Sequence, residues 1–145
     1  MKIEGYDEHE PNERVWEVQV YLSRAVRDYF GEEGQKGRRN EKDVRNAKNT
    51  LKFLKRHGLD RVRGSAQFKR EGKFPSGRKR GGDQVVYEAK SDQVRVYGGP
   101  VTVRGVTAYF FVEAVTKKNT KADQKQLQRV AKALGAINDE LERRK

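Results

Sequence analysis

An α+β fold is what this sequence predicts: a small antiparallel sheet with N-terminal helices packed on one face, the helices together covering that face, and a C-terminal helix closing the chain. Three patterns predict it. The run VWEVQVYL at 15–22 alternates apolar and polar residues, as a half-buried strand does. A set of short β segments joined by tight turns fills 84–116. Before and after that set lie stretches whose apolar residues recur at three- and four-residue steps, the spacing of amphipathic helices.

In chain order, residues 1–13 come first, with one Lys against five acids and little apolar material, so an acidic, loose tail is expected. The strand at 15–22 would place Trp16, Val18, Val20 and Leu22 on one face. A short helix over 23–30 and the polar connector GEEGQKGRR follow. Asn40 reads as the cap of a second helix running to Arg56, with Val44, Ala47, Leu51 and Leu54 as its stripe and Gly58 as its natural stop. Residues 61–82 hold eight Lys or Arg against the single Glu71 and are broken by five glycines and Pro75, which predicts a flexible basic loop. Phe68 and Phe74 within it could stack on bases or pack in the core. Strands are expected at 84–90, 93–98 and 100–105, joined by Ser-Asp and Gly-Gly turns, and a buried strand at 107–116. Thr120 reads as a cap with Asp123 three residues later, ahead of a helix striped by Leu127, Val130, Ala131, Leu134, Ile137 and Leu141. At 145 residues, one domain over 14–145 is expected.

Composition narrows the function. Without cysteine there is neither a disulfide framework nor a thiolate metal site, and two histidines, His9 and His57, support imidazole ligation poorly, so no metal or other cofactor is expected. No apolar run approaches membrane-spanning length and the N-terminus is acidic, which predicts a soluble, cytoplasmic protein. The net charge of +12 is the footprint of a polyanion binder, with RNA as the expected partner. Neither a phosphate-binding GxxxxGK[ST] nor a dinucleotide-binding GxGxxG occurs.

The segment YEAKSDQVRVYGG, a further strand, and then VTKKNTKADQKQLQRVAKAL together resemble the RelE/HigB superfamily of bacterial and phage toxins over roughly residues 50–135. Arg95 matches that family's strand arginine. Lys117, Lys118 and Lys121 match the lysines before its last helix. Where HigB-like members often carry a histidine, this chain has Glu113. The resemblance implies a RelE-like fold, a small ribonuclease cutting messenger RNA, commonly on the ribosome, and a protein antitoxin as partner.

Metal-free cleavage requires a deprotonated 2′-hydroxyl, stabilised charge on phosphorus and a protonated leaving oxygen. Arg95 suits the stabilising role because a guanidinium stays charged and can grip two phosphate oxygens, and Arg104 is the second choice. Tyr97 or Tyr109 could move a proton or stack on a base. Glu113 could serve as base if it shares a side with Arg95; strand alternation groups Tyr109, Phe111, Glu113 and Val115 on one face. Lys117, Lys118 and Lys121, with Arg78, Lys79 and Arg80 of the basic loop, would hold the RNA backbone, since lysine is protonated at neutral pH. His57 reads as a helix-end cation. A non-catalytic RNA- or ribosome-binding module is the alternative, and a DNA-binding phage regulator a weaker one, since no helix-turn-helix spacing is evident.

Overall fold

The computed structural model describes residues 1–117 and 123–144. Its strands are β1 (Tyr6–Glu8), β2 (Gln19–Ser23), β3 (Phe68–Pro75), β4 (Asp83–Ser91), β5 (Val94–Val103) and β6 (Val106–Thr116). Its helices are α1 (Arg24–Gly34), α2 (Arg38–His57), the single turn α3 (Leu59–Val62) and α4 (Gln124–Arg143). The α+β class is as expected. All six strands form one sheet in the order β1-β2-β6-β5-β4-β3, antiparallel except where β2 runs parallel to β6.

Helices cover both faces of this sheet, not one. On one side Val26 and Phe30 of α1 and Val44, Ala47, Leu51 and Leu54 of α2 pack on Val20, Val96, Tyr109 and Phe111. On the other, the α4 stripe packs on Tyr21, Val86, Tyr97, Val101 and Phe110. Sequence neighbours such as Tyr109 and Phe110 therefore enter opposite cores, which is why β6 reads as a continuous apolar run.

The helix ends follow local chemistry. The Ser23 hydroxyl accepts from the Val26 amide at 3.1 Å and donates to the Val112 carbonyl at 2.8 Å, capping α1 while tying it to β6. Gly58, at φ +82°, ends α2 with its amide on the Leu54 carbonyl at 2.8 Å. Asp123 caps α4 by accepting from the Lys125 amide at 2.9 Å; Thr120, the expected cap, lies outside the described residues.

Several expectations require correction. The acidic N-terminal segment is docked: β1 pairs with β2, and the Tyr21 hydroxyl donates to the Met1 carbonyl at 2.6 Å. Its anchor is Lys55, fully buried, whose ammonium donates to Glu8 at 3.1 Å and to the His9 and Glu10 carbonyls at 2.8 Å each. All three donors are satisfied, which is the condition for burying such a charge. The first long strand shrinks to β2, leaving Val15 and Trp16 exposed. The basic stretch 61–82 is not one loop, since β3 forms an edge strand with charged Lys69, Arg70 and Lys73 along it. Phe68 is buried against Tyr87 with ring centroids 5.2 Å apart, and Phe74 packs on the α4-side core, so neither is free to stack on a base.

Gly98 and Gly99 make no turn. They lie inside β5, which runs through both expected short strands. A β-carbon on Gly98 would sit 2.2 Å from the Phe110 carbonyl oxygen, so only glycine fits. The turn falls instead at Arg104–Gly105, where both φ angles are positive, 52° and 78°, as a two-residue hairpin with the favoured twist requires.

Candidate functional site

The pairing of β4, β5 and β6 brings together three of the four residues expected to carry chemistry. Glu88 faces Tyr97, and Tyr97 faces Glu113, so the three form a row across the sheet, with Arg95 one step along β5 on the same side. Strand alternation from Tyr109 put Glu113 with Phe111, on the α2 side. A bulge overturns this: Gly98 pairs with Phe111 and Tyr97 with Glu113, leaving Val112 unopposed. One extra residue reverses the alternation beyond it and swings Glu113 under α4. Tyr109 stays in the opposite core, where burial and then the nearby Tyr87 and Asp60 push its phenol up to about 12.

Each charge in this row is committed internally. Arg95, 6% exposed, lies 3.8 Å from Glu88 and donates to the carbonyls of Asp92 and, at 3.1 Å, Val94. Glu113 accepts from Arg129 at 3.1 and 3.2 Å and from Gln126 at 3.2 Å, which fastens α4 to the sheet. Burial, and then the adjacent Glu71 carboxylate, raise Glu88 above its ordinary range. Burial and then Glu88 raise Tyr97 as well, so its phenol remains neutral at physiological pH. The Tyr97 hydroxyl and one Glu71 oxygen lack a hydrogen-bond partner among the described residues. The row is thus a buried ionic seam with Arg95 as counter-ion to Glu88, and its guanidinium fork is not presented to a phosphate.

The other expected RNA contacts separate. Arg104 lies at the far end of β5, where its guanidinium caps α4 through the carbonyls of Leu141 at 3.4 Å, Glu142 at 3.3 Å and Arg144. Arg78 pairs with Asp139 at 3.3 Å and Glu142 at 2.8 Å, fixing the 76–82 loop to α4. Lys79 and Arg80 are exposed beside it. Lys117 follows β6 directly, whereas Lys118 and Lys121 lie outside the described residues.

A second site was not foreseen. The outer surface of α2, the segment after α3 and the β4–β5 turn enclose a groove of about 610 Å³. Asn46, Asn49, Thr50 and Phe53 form one wall, aligned because they recur at three- and four-residue steps on the helix. Arg61, Gln67 and Lys90 stand on the others. Phe53 is 41% exposed, with His57 tilted against its ring at 4.5 Å. The only sequence signal was this polar-aromatic line opposite the apolar stripe of α2. Among the described residues there is no cluster of His, Cys, Asp and Glu able to hold a metal ion. No helix among them is long and apolar enough to cross a membrane.

Comparison of the chain with protein-family models, with curated proteins and with solved structures finds no match.

Proposed function

We propose that this chain is an RNA-binding protein that engages its partner on the α2-bearing side. The observation that carries this reading is a set of exposed cations on that side with no internal ion-pair partner. α2 holds eight Lys or Arg against two acids, and of these Arg39, Arg45, Lys52, Lys55 and Arg56 are ion-paired. Arg38, Lys42 and Arg61 are exposed and form no ion pair among the described residues, and the same is true of Arg70 and Lys73 on β3. Arg70 and Lys73 sit opposite Tyr87 and Val85, which pack into the α2-side core, so both project towards that side of the sheet. Cations left without internal partners are the ones free to release counter-ions from a phosphate backbone. By contrast, Arg95, Arg78 and Arg104 are occupied by carboxylates and carbonyls, which favours binding over cleavage.

Fluorescence anisotropy with a labelled single-stranded RNA, titrated at several salt concentrations, tests this. For about four neutralised phosphates, log K should fall against log salt with a slope of about −3. Binding indifferent to salt would reject the proposal. The ribonuclease reading keeps one observation in its favour, the convergence of Arg95, Tyr97 and Glu113 at one end of the sheet. It requires Arg95 to be released from Glu88 when RNA docks, and RNA left intact by the wild-type chain with and without ribosomes would end it. A protein antitoxin and a cytoplasmic site of action belong with that RelE/HigB-like reading.

A further inference from the structure

Within that RNA-binding reading, we propose that the groove between α2 and the β4–β5 turn is a pocket for one unstacked base of single-stranded RNA, with Phe53 as its stacking platform. Three features of the lining match the three parts of a nucleotide. A flat, exposed ring offers a face to any base, the sequence-tolerant contact that single-strand binders use. The amides of Asn46, Asn49 and Gln67 each carry a donor pair and an acceptor, the equipment for reading a base edge. Arg61 and Lys90 supply cations to the flanking phosphates, while Ser65 and Ser91 bring hydroxyls to the lining for a ribose 2′-hydroxyl; that of Thr50 donates to the Asn46 carbonyl at 3.1 Å and can only accept.

The occupant follows from shape and charge. A volume of about 610 Å³ falls in the range of sites for small ligands and suits a recess filled by an extruded base. A continuous duplex would present its bases stacked and out of reach of Phe53. The only carboxylate on the lining, Asp92, is held by Arg39 at 3.0 Å through Nε and lies beside Asp43, while the lining itself carries the two cations Arg61 and Lys90.

The decisive experiment titrates labelled A10 and U10 RNA, the matching DNA decamers and a duplex into the full chain, comparing wild type with Phe53→Leu, Phe53→Tyr and Arg61→Gln. Side-chain amide resonances of Asn46, Asn49 and Gln67 are followed by NMR. Phe53→Leu should weaken RNA binding about tenfold at unchanged salt slope; Phe53→Tyr, which keeps the ring, should restore it, and the three amides should shift on RNA addition. Arg61→Gln should reduce the slope by about one. RNA that binds wild type and Phe53→Leu equally, with the amides unmoved, overturns the pocket and leaves RNA binding standing. DNA decamers or duplex bound more tightly than RNA overturn the pocket's assignment to RNA. Absence of any RNA binding by wild type at low salt overturns both readings.

Discussion

The two faces of the sheet use similar residues to opposite ends. Under α4, Arg95 and Glu88 pair out of solvent, and Glu113 is taken up by the more exposed Arg129. Along α2, Lys52, Lys55 and Arg56 are likewise paired, but Arg38 and Lys42, with Arg61 beyond the helix, stand in solvent with no ion pair among the described residues, and Phe53 is partly exposed. Residue identity alone therefore says little about function in a strongly basic chain. What separates a structural arginine from an available one is whether the fold has already supplied its anion.

That contrast can be broken from either side. The largest effect should come from Arg95→Ala, which strands the buried Glu88 carboxylate; losing one partner of a buried pair costs about 3–5 kcal/mol, read as a lower denaturation midpoint at unchanged slope. RNA affinity of the remaining folded protein should be unaltered, whereas a catalytic Arg95 would give a stable but inactive variant. On the other face, the double variant Arg70→Gln/Lys73→Gln should leave the midpoint within about 0.5 kcal/mol. It should flatten the salt dependence of RNA binding by about two if both cations meet phosphate.

A pH series sharpens the same comparison. Glu88 titrates above its ordinary value of 4.5 in the folded chain, so the folded state holds that proton more tightly than the unfolded one. Its stabilising contribution is complete below about pH 4.5 and is lost as pH rises through the higher folded value. Glu88→Gln should accordingly gain stability relative to wild type as pH increases, in parallel urea titrations; a constant difference would mean that Glu88 is not perturbed. A modest effect on stability alone belongs to Arg104→Ala. Removing a cation from the α4 C-terminus should cost about 0.3–1 kcal/mol in the same titration, without changing RNA binding.

The helices were legible because their apolar stripes are long and regular: Val44 to Leu54 and Leu127 to Leu141 are buried as their spacing predicted. What escaped was built by partners distant in the chain. β3 hid behind its lysines and arginines, since an edge strand bears charge where a central one bears valine. The N-terminal segment looked solvated because its acids suggested water, but Lys55, Lys52 and Arg56 of α2 were waiting for them. Of the candidate site, the meeting of Arg95, Tyr97 and Glu113 could be anticipated from adjacent strands, although the Val112 bulge that turns Glu113 towards α4 leaves no mark in the composition. The Phe53 groove was beyond reach, since its walls come from α2, the 65–67 segment and the β4–β5 turn, and only folding places them together.

The parallel pairing of β2 with β6, Val20 beside Tyr109, bears on how the chain comes into being. β6 is the strand between β2 and β5, so until it is synthesised the sheet exists as two separate pieces. Val20, Leu22 and the apolar faces of α1 and α2 must then wait, partly uncovered, for the last third of the polypeptide. Closing so long a loop late makes folding slow and leaves nascent chains ending before residue 106 prone to sticking to one another.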